Sequence, residues 1–329
     1  MTDMKISTSP NMIWILLQRF GFLVVFAAFF CLFAAWNPVF LQGGNLLNVI
    51  EGSAVLMIIA LGMTLIVATG GIDLSVGIAL DFGAAFAVVA MKSYGMDWFG
   101  AACAGLIGGS IIGLFNASLV IGLRVSPFLA TLSTFFIGSS VQRIFTNGGG
   151  PISHRRMPEE FRNLAIGDVY GVPTEAVIAI VLVVLYFLIL ERSIWGRRIH
   201  AMGMQRSAAI IAGIRVNRIL LLCFIAASVT CAVGGLIAAA NIRMFTPLSG
   251  FSYLLDAIAA VFIGAALHPR GRPNVLGTLA GVLFLGMVAN GLNLMGLNFN
   301  TKDALQGIIL VSALALAVAQ QRARNRLVS

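Results

Sequence analysis

Few residues in this sequence could do chemistry, and most lie in or beside long apolar stretches. Four carboxylates, Glu51, Asp73, Asp81 and Asp256, sit within such stretches or at their ends. Asp73 belongs to ATGGIDLSVG, residues 68–77. There Gly70 and Gly71 permit a sharp backbone break, Asp73 can cap the next helix by accepting a backbone N–H, and Ser75 falls in its first turn. The same stretch, through Gly77, also reads as a broken helix at a gate, where exposed backbone must face protein or water. The two readings are compatible. Asn116, Asn290 and Asn293 are polar groups inside apolar runs. Such residues bond to neighbouring helices, or offer contacts to a solute crossing the membrane.

Other chemistry is missing. No G-x-x-x-x-G-K-[ST] loop is present to cradle ATP phosphates, and no paired His/Glu metal motif occurs. No G-x-S-x-G nucleophile elbow appears. The cysteines Cys31, Cys103, Cys223 and Cys231 all lie in apolar runs, without a C-x-x-C pair, and read as small hydrophobes. The carboxylates do not form the chain of ionisable residues that a proton-driven pump requires. Neither catalytic nor cofactor residues are expected on this chain.

Composition says what must position these groups. The 329 residues are 59% hydrophobic and 10% charged, against about 25% charged in soluble domains. A helix needs roughly 20 apolar residues to cross a bilayer. Residues 20–50, 98–123, 219–242 and 275–301 contain no Asp, Glu, Lys or Arg. Apolarity is continuous rather than alternating, which excludes a closed barrel. The fold class is an all-α membrane protein of about ten transmembrane helices, near 20–37, 53–70, 75–91, 99–122, 127–145, 174–190, 219–240, 254–267, 275–296 and 304–320. The span at 254–267 is short and partly irregular in expectation. Residues 1–19 form an N-terminal tail, 20–320 the permeating domain and 321–329 a C-terminal tail. The first span reads as retained, not as a cleaved signal.

Basic residues set the orientation. The net charge of +9 does not point to nucleic acid, because the Lys and Arg residues flank apolar runs as the positive-inside rule requires. Arg124, the 191–218 loop, Arg270, Arg272 and the terminal Arg322, Arg324 and Arg326 fall on one side if both termini are cytoplasmic. Residues 196–218 hold five arginines, one histidine and no acid around SAAIIAGI. On charge alone this is an ordinary cytoplasmic loop. The largest outer connection, 146–173, mixes Arg155 and Arg156 with Glu159 and Glu160, which suits either a solvated loop or a surface that meets a soluble partner. Glycines recur every four residues at 105, 109 and 113 and at 277 and 281, a pattern that lets helices approach closely in lipid. GIDLSVG (71–77) and GRPNVLG (271–277) echo each other in glycine spacing.

LGMTLIVATGGIDLSVG resembles the hallmark of permease subunits of ribose-type bacterial ABC sugar importers. FNASLVIGLRVSPFLATLSTFFIGSSVQRIFTNGGGPI (115–152), WGRRIHAMGMQRSAAIIAGIRVNR (195–218), LLDAIAAVFIGAA (254–266) and GTLAG (277–281) are similar to further elements of that family, in its order. The resemblance covers about residues 46–320. Two departures are GAALHPRGRPNVLG (264–277), where the family has a glycine-rich turn, and Asn116-Ala117, where Asn-Gly is common.

The resemblance implies a division of labour. Two permease chains, identical or related, form the path across the inner membrane. Cytoplasmic ABC ATPase subunits bind below, and a periplasmic sugar-binding protein delivers a monosaccharide or polyol from above. The basic island becomes the coupling element, with Arg206, Ser207, Ala208, Ala209, Gly213, Ile214 and Arg215 seated against the ATPase. Arg155, Arg156, Glu159 and Glu160 become contacts for the binding protein. This chain is expected to hydrolyse nothing. The rival readings are a secondary transporter, for which Asp81 is the fair coupling carboxylate, and a membrane enzyme, for which no reactive cluster is visible.

Overall fold

The computed structural model describes residues 12–315 apart from 269, 299, 302–303, 306, 310 and 313–314. Arg322, Arg324 and Arg326 and the end of the 304–320 span lie outside the described residues. Helix α1 (Met12–Trp36) leads through a 3₁₀ turn (Pro38–Leu41) to α2 (Gly43–Ala68), α3 (Val76–Tyr94), α4 (Trp98–Ala117) and α5 (Pro127–Phe145). Strand β1 (Ile152–Ser153), helix α6 (Glu159–Ile166) and the β2 (Asp168–Val169) and β3 (Val172–Pro173) hairpin precede α7 (Thr174–Phe187). Then follow α8 (Ile194–Met204), α9 (Arg206–Ile211), α10 (Val216–Ile242), β4 (Met244–Phe245), α11 (Phe251–Leu267) and α12 (Val275–Leu294). α4 and α7 each end in a π-helical turn, Ser118–Gly122 and Leu188–Arg192.

Among the described residues, seven helical stretches are long and apolar enough to cross a membrane, the first Gly43–Ala68 and the last Val275–Leu294. α1 and α11 supply shorter apolar helices at two further expected spans. α2 begins at Gly43, ten residues before its expected start. Glu51 and Gly52 do not interrupt it, since a chain of helix formers on either side carries the backbone through them.

The chain divides into two compact units. Residues 1–42 and 287–329 form one, and 43–286 the other. In the smaller unit Gly291 lies directly under the Phe33 ring, and the Asn37 side chain donates to Leu294 O at 3.3 Å. In the larger unit α2, α3, α4 and α10 pack around a core containing Ile58, Ile59, Leu61, Ile66, Leu80 and Phe224, all under 2% exposed. The glycines do what their spacing predicts. A Cβ on Gly109 would lie 2.8 Å from Ser228 O, and one on Gly113 2.6 Å from Phe224 O, so α4 and α10 touch backbone to backbone. Gly281 is pressed in the same way against Ala260 of α11, and Gly235 against Leu80 O of α3.

Thr64 of α2 and Thr278 of α12 share a buried hydroxyl bond at 2.8 Å.

Because no small adjustment frees Gly235, Gly235→Val is expected to destabilise the protein by about 1–3 kcal/mol. A lowered melting temperature in detergent checks this, and an unchanged one rejects the close α3–α10 contact.

Candidate functional site

The α2–α3 break is held by a chain of buried polar groups. Gly70 turns the backbone at φ +89. Asp73 Oδ1 accepts from the Ser75 N–H at 2.7 Å and from the Ser75 hydroxyl at 2.6 Å. Ser75 stands one residue before α3 rather than in its first turn. Its Oγ accepts from Asn116 Nδ2 at 2.7 Å, and Asn116 Oδ1 accepts from the Thr134 hydroxyl at 2.5 Å. Thr131 Oγ1 takes the Leu74 N–H at 3.0 Å. Asp73, Ser75, Asn116 and Thr131 are all fully buried. One turn of chain is thereby tied to α4 and α5. Asn116 spends both ends of its amide on neighbouring elements.

A second non-helical segment follows α10. β4 pairs antiparallel with β1, Ile152 opposite Phe245, and His154 N donates to Arg243 O at 3.0 Å. Phe245 lies in a cavity wall with Ala90, Tyr94 and Met96, beside the later turns of α3. Five residues on, Gly250 is wedged against Gly77 in the first turn of α3. The segment therefore runs nearly the whole length of α3 before α11 starts, which explains the short α11. Backbone without helical bonding is tolerated at such depth only if protein satisfies it. Gln142 Oε1 takes the Leu248 N–H at 2.8 Å. Asp81 Oδ1 takes the Gly250 N–H at 2.9 Å and the Ser249 hydroxyl at 2.8 Å. These bonds hold Leu248 at φ +63, a conformation that costs a leucine about 1–2 kcal/mol.

The basic island touches the first break. Its centre is the short helix α9, Arg206–Ile211, with Gly213 at φ +77 closing it. Ala209 is buried, while Arg206, Ser207, Ala208, Gly213 and Arg215 are exposed and Ile214 is half-buried. Gly203, at the end of α8, meets the α2–α3 turn backbone to backbone. A Cβ on Gly203 would lie 3.0 Å from Gly70 N, and one on Gly70 3.1 Å from Gly203 O. Gly71 abuts Pro127 at the start of α5. The HPRGRP turn between α11 and α12 leans on the same island. Arg272 pairs with Glu191 at 3.3 Å and donates to His268 Nε2 at 3.2 Å.

The chain matches the model of the branched-chain amino acid transport system permease component over residues 45–314. It belongs to this permease family. The ribose import permease protein RbsC of Bacillus subtilis is 34% identical over 280 residues, covering 85% of this chain and 86% of the relative. RbsC of Escherichia coli K12 is 31% identical over 304 residues, 91% of this chain and 93% of the relative. The fructose import permease protein FruF of Bifidobacterium longum is 29% identical over 309 residues, 92% and 86%. No solved structure matches. With its apolar helices, the permease is a multi-pass protein of the inner membrane.

The remaining candidate residues occupy separate places on the permease. Arg155, Arg156, Glu159 and Glu160 are exposed on the 146–173 connection, where α6 is anchored by buried Phe161 and Ala165. Asn290, half-buried, and Asn293, exposed, belong to the smaller unit. Sequence reasoning passed over Gln142, Ser249 and Gly203. Only the shortness of the 254–267 span hinted at the segment before it, and nothing in the order of residues pairs Gly203 with Gly70.

His200 of α8 is buried. Burial, then the nearby Arg272 and His268 charges, lower its pKa from 6.5 to about 4. The unfolded chain therefore takes up a proton first as pH falls, and stability present above pH 6.5 is lost between there and about 4. Stability should therefore fall from pH 7 to 5, and His200→Leu should flatten that fall in thermal melts. Separately, Asn116→Ala should cost about 1–3 kcal/mol by removing the two buried bonds that join Ser75 to Thr134, which a melting curve at pH 7 reads.

Proposed function

We propose that this permease is the membrane-spanning half of an ABC importer that brings a monosaccharide or related polyol into the cytoplasm. The relatives named for ribose and fructose import support the solute class. About ten spans with both termini cytoplasmic place the 191–218 island on the inner side, as Lys/Arg bias favours. A cytoplasmic ATPase subunit then seats α9 and its flanks, from Arg206 to Arg215. A periplasmic binding protein meets Arg155, Arg156, Glu159 and Glu160, and a second permease chain completes the path. ATP is hydrolysed on the partner, and no cofactor is assigned to this chain.

The observation that carries this reading is the Gly203–Gly70 backbone contact. It joins the island to the broken-helix turn with no flexible side chain between them. Displacement of α8 and α9 is delivered to Gly70, Gly71 and Asp73, and through Ser75 and Asn116 to α4 and α5. Gly77, pressed on Gly250, passes the same motion to the second non-helical segment. Asn116 acts as a strut of the path, while Asn290 and Asn293 offer polar contacts to a sugar.

Replacing Ala208 and Gly213 with tryptophan tests the docking. Uptake of labelled D-ribose or D-fructose by the reconstituted complex should vanish, while membrane insertion stays normal. Transport that survives both changes rejects the assignment. Solute accumulation by vesicles holding the permease without an ATPase rejects the motor-driven reading altogether.

A further inference from the structure

Helix α8 is pinned at both ends to the ends of other helices. In its first turn a Cβ on Gly196 would strike Leu190 O, in the π-helical turn that closes α7. At its far end a Cβ on Gly203 would strike Ala68 O, the last residue of α2. The Ser193 hydroxyl fixes the corner, donating to Ile189 O at 2.6 Å and taking the Gly196 N–H at 3.2 Å. A helix of 11 residues is about 16 Å long. Stretched between the same ends of two spans, it runs along the membrane surface rather than away from it.

Its two sides differ. Gly196, Ile199, His200 and Met202 are buried against the bundle, while Ile194, Trp195, Arg197 and Arg198 are exposed. Trp195 and Arg198 are three residues apart and so share an edge of the exposed side. Tryptophan and arginine on the uncovered side of such a helix suit a membrane interface. The charge is unbalanced. From 191 to 218 the only acid is Glu191, and Arg272 holds it at 3.3 Å. Arg192, Arg197 and Arg198 make no ion pair among the described residues.

Arg192 shows where the missing anion sits. Its guanidinium lies over the Phe187 ring, 5.4 Å from the centroid. Phe187 is five residues back into the span, so Arg192 reaches up along α7 and not down into the cytosol. Leu188 and Val184, one and two turns before Arg192, are exposed. A soluble subunit approaching from below meets α9 and not this level. A lipid with its headgroup at Arg192 and an acyl chain along Leu188 and Val184 fits both the charge and the apolar face. The cytoplasmic leaflet carries the negative lipids, and tryptophan favours the headgroup layer.

We propose that Arg192, Trp195 and Arg198 form a binding site for the headgroup of an anionic phospholipid of the inner leaflet. The lipid braces the corner between α7 and α8, at the root of the island that carries α9. This inference rests on the cytoplasmic placement of that island and not on the solute carried. Lipid binding and uptake are read separately, so the failure of one is distinguishable from the failure of the other.

The test places the complete importer in phosphatidylcholine vesicles with rising shares of brominated phosphatidylglycerol or brominated phosphatidylcholine. Bromine quenches a tryptophan that it touches, and the Trp195 signal is the difference between wild type and Trp195→Phe. Phosphatidylglycerol should be preferred on the order of twentyfold, about fivefold for each of Arg192 and Arg198. Arg192→Gln and Arg198→Gln should each remove about fivefold of that preference, while Arg198→Lys keeps most of it and Arg206→Gln, on α9, keeps all of it. Inorganic phosphate should compete no better than sodium chloride of equal ionic strength. Equal quenching by the two lipids, no quenching by either, or an equal loss from Arg206→Gln overturns the site. Displacement by phosphate itself assigns the arginines to a free anion, and quenching seen only without the ATPase assigns the face to that subunit; either result also overturns the proposal.

Discussion

Backbone that leaves a helix within an apolar bundle must be hydrogen-bonded by the protein itself, and this fold depends on how two aspartates meet that demand. Asp73 gathers the turn between α2 and α3, while Asp81 gathers the segment before α11. Neither has an ion-pair partner among the described residues. Both take backbone N–H and serine hydroxyl donors instead. Two carboxyl groups are thereby turned into fasteners for irregular chain, and the rest of the bundle closes around them on glycine contacts. The GIDLSVG and GRPNVLG echo extends to this chemistry. Asp73 catches an N–H two residues on, and Asn274 catches that of Gly277 at 2.7 Å, each just ahead of an apolar helix.

Those glycine contacts make the molecule mechanically short. From α9 to the α2–α3 turn, and from α3 to the α11 entry, the path passes through main chain at Gly203–Gly70 and Gly77–Gly250. Side chains can change rotamer and absorb a displacement. Main chain in contact with main chain cannot, because packed interiors deform little. On the opposite side, β1 and β4 bond the 146–173 connection to the same entry segment. Two surfaces at either end of the larger unit therefore reach one turn of α3 by backbone alone.

Much of this was legible in the residues and some was not. Continuous apolarity located the helices, and the residue types of ATGGIDLSVG announced a break, because two glycines and a capping acid at a span boundary have few other uses. Spacing placed Gly105, Gly109 and Gly113 on one contact face, and the structure puts α10 there. What could not be read was pairing across the chain. Gln142 reads as an incidental polar residue late in an apolar helix until Leu248 arrives beneath it. Gly203 reads as one more glycine in a basic loop until it meets Gly70. The early start of α2 lies outside the expected 53–70 span, because an uninterrupted helix ladder carries Glu51 and Gly52.

The short helix α9 leaves Ile210 57% and Ile211 88% exposed, on an element too small to hide them by folding back. In the docking proposed above, a permease made without its ATPase carries that greasy knuckle bare at its surface. Balanced production of the two polypeptides is then a matter of solubility as much as of energy supply, and surplus copies present a ready handle for chaperones and proteases.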